Sequence, residues 1–173
     1  MEKFNLIVIG AGPGGYVAAI RASQLGMKVA CVDRRPTLGG TCLNVGCIPS
    51  KALLNASEQF AKVTGGTLND LGISVGTPKL DLVRMQASKD EIVSSLTSGI
   101  EFLFKKNKIT RFEGTARIDC SGAVTIVDGK DKGGYRAEKI MIATGSHPTS
   151  LPGITIDENR IVSSTGALSL ETL

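Results

Sequence analysis

Asn5-Leu6-Ile7-Val8-Ile9-Gly10-Ala11-Gly12-Pro13-Gly14-Gly15 decides the architecture of this 173-residue chain. The first five residues form a continuous, β-branched apolar run, which suits a strand buried on both faces of a parallel sheet. Gly10, Gly12 and Gly15 then fill G-x-G-x-x-G. The first glycine allows a tight turn, the second admits a pyrophosphate against bare backbone, and the third lets a helix pack closely on the strand. Tyr16 to Leu25 has helical composition and Gly26 is placed to stop it. Met27 to Val32 returns as a second apolar strand ending at Asp33, 18 residues after Gly15, where a carboxylate can accept hydrogen bonds from a ribose diol. Strand, loop, helix, strand and acid in that order predict a dinucleotide site; they do not separate FAD from NAD.

Directly after the second strand comes Gly39-Gly40-Thr41-Cys42-Leu43-Asn44-Val45-Gly46-Cys47-Ile48-Pro49-Ser50-Lys51. In an ideal helix, positions five apart lie roughly 8 to 9 Å from each other, whereas a disulfide wants Cα atoms about 4.4 to 6.8 Å apart. Bridging Cys42 to Cys47 therefore requires an irregular first turn, and Gly46 and Pro49 are residue types that permit one. A redox-active disulfide, an inert bridge and two free thiols are the readings this spacing allows.

The thirteen residues GGTCLNVGCIPSK resemble the active-disulfide signature of the class I pyridine nucleotide-disulfide oxidoreductases. Leu43, Ile48 and Ser50 are closer to the dihydrolipoyl dehydrogenase branch than to glutathione or mercuric reductases. The resemblance implies a redox disulfide in which Cys42 exchanges with the substrate and Cys47 faces a bound FAD as a thiolate, with Lys51 beside the flavin ring. It also implies FAD contacts from Gly10, Gly12, Gly14, Gly15, Asp33, Arg34, Gly40 and Thr41. Further along, Gly114 and Ala116 would meet the adenine, and Thr144-Gly145-Ser146 resembles the family's ATG motif, where chain and cofactor meet again. The family usually carries Glu at the ribose position, one methylene longer than Asp33.

The rest of the chain reads as scaffold. Ala52 to Ala61 continues as helix until Thr64-Gly65-Gly66-Thr67 breaks it, and Leu71 to Lys79 is an irregular connection. From Asp81, a good N-cap, Ile92, Val93, Leu96, Ile100, Leu103 and Phe104 recur at three- and four-residue spacing and predict a long amphipathic helix facing the core. From Thr110 the period becomes two: Phe112, Ala116, Ile118, Val124 and Ile126, with turns at Ser121-Gly122 and Asp128 to Gly134, predict an antiparallel β-meander. Lys139 to Ala143 then returns as a buried strand. Cys31 and Cys120 read as ordinary thiols and His147 as a surface loop residue. Ile161 to Leu168 resembles the family's stretch before an NAD domain.

The expected fold is thus α/β: a Rossmann-like FAD-binding domain over residues 1–150 with a parallel sheet, a βαβ unit and an antiparallel meander, and a connection over 151–173. The content, 42% hydrophobic with a net charge of +4, supplies a core without a nucleic-acid signature, and no apolar run approaches a membrane span. Lys105-Lys106-Asn107-Lys108 reads as a solvated helix end. The resemblance implies oxidation of dihydrolipoamide carried on a lipoyl domain of 2-oxo acid dehydrogenase complexes, with electrons passing through Cys42-Cys47 and FAD to NAD. It further implies association with the acyltransferase (E2) core of those complexes and a homodimer. No metal is expected. A second G-x-G-x-x-G does not follow Gly15 and His147 is the single histidine, so the 173 residues alone are expected to lack turnover and to hold FAD weakly or not at all. The immediate entry of Met1 to Phe4 into the first strand leads to a bacterial cytoplasm as the expected compartment, with a mitochondrial matrix as the lesser reading.

Overall fold

In the computed structural model, which describes residues 1–172, Lys3–Ile9 (β1) is the strand foreseen ahead of the glycine loop and Pro13–Gln24 (α1) the helix after it. Pro13 stands at the first helical position, where its missing N–H costs nothing. The helix closes in a Schellman arrangement: Gly26 donates to the Ser23 carbonyl at 2.9 Å and Met27 to the Ala22 carbonyl at 3.2 Å. Val29–Asp33 (β2) follows, then two consecutive helices, Gly40–Val45 (α2) and Cys47–Thr64 (α3), separated by Gly46. A 3-10 turn at Asn69–Leu71 precedes the long helix Leu82–Lys106 (α4), whose start is capped by Asp81 Oδ1 accepting from Arg84 N at 2.9 Å. Strands Thr110–Glu113 (β3), Ala116–Cys120 (β4), Ala123–Ile126 (β5) and Gly133–Ile142 (β6) come next, with the short helix Ser164–Ala167 (α5) near the end.

The chain forms two units. The first comprises Met1–Asn44 and Ser95–His147, and the second Val45–Ser94 and Pro148–Leu173. In the first, all six strands make one mixed sheet in the order β3-β2-β1-β6-β5-β4. β3, β2, β1 and β6 run parallel, while β6, β5 and β4 are antiparallel neighbours. The expected meander and the expected returning strand are therefore one continuous element. Around Arg136, β6 changes partners, pairing with β5 on one side up to that residue and with β1 from it onward. The turn foreseen over Asp128 to Gly134 ends earlier, because Gly133 and Gly134 already belong to β6.

One core joins both halves of the sheet: Phe4, Ile7, Ile9, Ala30, Val32, Phe112, Val124, Ile126 and Ala137 form a single buried cluster. Phe112 meets Phe4 edge-on at 5.9 Å between ring centroids and Tyr135 at 4.3 Å, geometries that favour aromatic pairs beyond the area they bury.

Three expectations about burial need correction. On α4, Ile100 and Phe104 are buried but Ile92, Leu96 and Leu103 are exposed, so the periodic stripe is core only in part. Ile118 on β4 is also exposed, because β4 is an edge strand with a single neighbour. Ile142, foreseen within a buried strand, is 66% exposed at the end of β6. No helix of the described residues is long and apolar enough to cross a membrane.

Candidate functional site

The carboxyl ends of β1, β2 and β6 meet the glycine loop at one edge of the first unit's sheet. Each connection is a backbone hydrogen bond: Gly10 N donates to Val32 O at 2.7 Å, Ala143 N to Ile9 O at 2.8 Å, and Gly114 N to Asp33 O at 2.9 Å. Gly10 takes φ of +103°, and a Cβ there would overlap the Ala143 carbonyl oxygen, so both the turn and the close strand crossing require glycine. Gly40, at φ +58°, brings α2 so near the loop that a Cβ would sit 2.5 Å from Gly12 Cα.

A cleft of about 390 Å³ opens above this edge, within the size range of small-molecule sites. Its lining gathers Gly10, Gly12, Gly14, Asp33, Arg34, Gly40, Thr41, Cys42, Thr144, Gly145 and Ser146, residues drawn from four separate segments. An adjoining recess of about 170 Å³ adds Gly114 and Ala116 beside Asp33 and Arg34. Gly15 does not line either space; it lies buried behind the loop, against the Gly10 carbonyl. Gly12 is the opposite case. A Cβ on it would meet only Gly40 Cα, at 3.9 Å, and would otherwise project into free space. Such a cradle, which one methyl group would begin to fill, is what a pyrophosphate against bare backbone needs, and the residues present fit a dinucleotide. At the start of α1, Gly12 offers no side-chain cap and the first turn holds no acidic residue, leaving the helix N-terminus to an anion.

Asp33 holds the loop together. Its Oδ2 accepts from Ala11 N at 2.6 Å and its Oδ1 from Arg35 N at 2.9 Å. A carboxylate has about four lone-pair positions, so both oxygens retain capacity for a ribose diol. Sequence reading missed one wall of the cleft. His147, exposed in its loop as foreseen, also lines both spaces and accepts from Arg34 Nη2 at 3.0 Å through Nε2. The same Arg34 Nη2 lies 3.4 Å from the other ring nitrogen, Nδ1.

The cysteine turn has the irregularity its spacing demanded. Gly46, at φ −147° and ψ −117°, interrupts the helical path between α2 and α3. Asn44 ties the α2 side down, donating to the Leu38 and Gly40 carbonyls at 3.0 and 2.8 Å. On the α3 side, Ser50 N and Oγ both donate to Gly46 O, at 3.0 and 2.6 Å. Cys42 is half-buried and lines the cleft; Cys47 is exposed at the first position of α3, with Lys51 four residues on along the same helix face.

Cys31 is different in kind. It is buried within β2, and burial first, then the neighbouring Asp33 charge, push its thiol up to about 12. The thiolate is the reactive form. After reduction, iodoacetamide near neutral pH is expected to label Cys47 and Cys120, both exposed, and to leave Cys31 untouched until the protein is unfolded. Peptide mass analysis checks this, and Cys31 labelling at a rate similar to Cys120 would contradict the burial.

The sheet and the glycine loop define a Rossmann-like α/β protein. The chain belongs to the pyridine nucleotide-disulphide oxidoreductase family, which matches residues 4–173. It is 57% identical to dihydrolipoyl dehydrogenase 3 of Pseudomonas aeruginosa, over 98% of this chain and 36% of that one. The mitochondrial dihydrolipoyl dehydrogenase of Schizosaccharomyces pombe is 53% identical over 97% of this chain and 33% of its own length. A solved structure, the Cu(II) complex of the HOCl-induced flavoprotein disulfide reductase RclA from Escherichia coli, superposes with a TM-score of 0.78 at 26% identity. That match covers 98% of this chain and 35% of the other. The chain spans about a third of the length of the curated relatives it matches.

Proposed function

We propose that this chain is the FAD-binding and redox-disulfide portion of a dihydrolipoyl dehydrogenase. The observation that carries the reading is the cysteine turn following β2, at 57% identity to a protein of that name. FAD would lie with its pyrophosphate over Gly10, Gly12 and Gly14, its ribose at Asp33, and its adenine end near Arg34, Gly114 and Ala116. Gly40, Thr41, Lys51 and Thr144 to Ser146 complete the proposed contacts. When bound, FAD supplies a two-electron acceptor for the reduced cysteine pair.

The chemistry assigned to the chain's own residues is thiol–disulfide exchange. A thiolate of dihydrolipoamide attacks Cys42 Sγ, the Cys42–Cys47 bond breaks, and Cys47 leaves as thiolate. The second dihydrolipoamide sulfur, after giving up its proton, attacks the first. This closes the lipoamide ring and releases Cys42, so two electrons have moved from the substrate to the cysteine pair. The proton acceptor, the NAD site and the homodimer contact are proposed to lie outside these 173 residues. A lipoyl domain of a 2-oxo acid dehydrogenase complex, in contact with its E2 core, is the proposed substrate carrier. A bacterial cytoplasm is the proposed compartment, in keeping with the Pseudomonas relatives.

A related flavin disulfide reductase is the second reading, favoured by the superposition on RclA. Anaerobic reduction of the Cys42–Cys47 bridge, followed by alkylation and mass analysis, separates the two. Dihydrolipoamide is expected to reduce the bridge at least about tenfold faster than glutathione at equal thiol concentration. Equal rates would favour the second reading, and an irreducible bridge or none would overturn both.

A further inference from the structure

The segment from Asp157 to Leu170 takes no part in the proposed exchange, yet it is held with unusual thoroughness. Asp157 Oδ1 accepts from Asn159, Arg160 and Ile161 N–H groups at 2.9, 2.9 and 3.0 Å, and this holds its carboxyl below the usual range. Glu158 Oε2 accepts from Ser163 N at 3.2 Å and Gly166 N at 2.9 Å. From α4, Gln86 Nε2 donates to Leu170 O at 2.9 Å and Lys89 Nζ to Leu168 O at 3.0 Å. Lys89 is only 7% exposed, paired with Asp90 at 3.0 Å. A buried ammonium persists only where its donors are satisfied, so this lysine is committed to fixing the segment in place.

What the fixed segment presents is a hydroxyl aimed at the cysteine turn. Ser164 Oγ donates to Val45 O at 2.9 Å. Val45 is the last residue of α2, and its carbonyl is among those a helix leaves without an intrahelical partner. The next carbonyl, that of Gly46, is taken by Ser50. Two successive carbonyls between Cys42 and Cys47 are thus restrained, one by α3 itself and one by a residue 119 positions away.

We propose that Ser164 is a positioning residue that braces the turn between Cys42 and Cys47 through the Val45 carbonyl and so favours the open dithiol over the bridge. The inference rests on the reading of this pair as the redox couple. Its direction follows from the state in which the contact stands: Cys42 and Cys47 are both thiols here, Ser164 Oγ holds the Val45 carbonyl in that state, and any movement of this carbonyl on bridging has to give up the bond.

The test equilibrates the full protein with graded ratios of reduced and oxidised dithiothreitol. Each reduced molecule gives two electrons and two protons to the bridge and closes its own ring, leaving two protein thiols. Alkylation and peptide mass then count open and bridged forms. Ser164→Ala is expected to shift the equilibrium toward the bridge by about threefold to tenfold, the worth of one hydrogen bond, while Ser164→Thr stays within about twofold of the parent. Ser169→Ala serves as control, since its hydroxyl bonds only the Thr165 carbonyl at 3.1 Å in its own segment. A Ser164→Ala equilibrium within about twofold of the parent, a shift toward the dithiol, or an equal shift in Ser169→Ala overturns the brace. A parent that never bridges Cys42 to Cys47 overturns the redox pair itself, and the brace with it.

Discussion

In the full-length protein, Gly12→Val is expected to lower FAD affinity at least about a hundredfold while leaving the folded state intact, because its branches would enter the space proposed for the pyrophosphate. Nothing nearer than 3.9 Å opposes the first added carbon, so the fold loses little. Gly15→Val is the contrasting case. Its Cβ would collide with the Gly10 carbonyl behind the loop, and overpacking of that kind typically costs about 1 to 3 kcal/mol or more. Flavin titration and thermal unfolding read the two effects apart. Stoichiometric FAD on Gly12→Val would show that the phosphates lie elsewhere.

The second large effect is expected at the cysteines. In the full-length protein, Cys42→Ser and Cys47→Ser should each cost at least on the order of 10³ in dihydrolipoamide turnover, since neither variant can form the bridge. Their failures should differ. Cys47→Ser leaves Cys42 free to keep a mixed disulfide with an activated lipoyl thiol, because the resolving sulfur on the protein is gone. Cys42→Ser should retain the long-wavelength thiolate-to-flavin absorption and trap no such adduct. The exposures of the two residues in this chain rank the other way, with Cys47 exposed and Cys42 half-buried. Adduct on Cys47 rather than Cys42 would therefore exchange the two roles, and identical behaviour of both variants would remove the distinction.

What was legible in the sequence was whatever rests on neighbours in the chain. The glycine loop, the Gly26 stop, the Asp81 cap and the irregular turn at Gly46 each follow from local geometry, and each stands where the residue types placed it. What escaped depends on distant partners. Arg34 and His147 stand 113 residues apart, and no periodicity connects them. Gly133-Gly134 reads as a turn, but the missing side chain at Gly134 makes room for the Met1 side chain against β6. The apolar period of α4 is genuine; it cannot reveal that cover reaches Ile100 and Phe104 and stops short of Ile92.

The single strand β6 also dictates when the cleft beside the glycine loop can come into being. β1 is made before every other described strand, yet its second neighbour is the last of them, with Lys3 pairing to Arg136 and Ile9 to Ile142. Pairings so remote in sequence are slow, since most of the chain must be ordered before they are rewarded. Until then β1 has an open edge, a surface that invites mispairing with other nascent chains. The Gly10 turn has no Ala143 to close against during that interval. The cleft proposed for FAD cannot take shape until synthesis has passed Ser146.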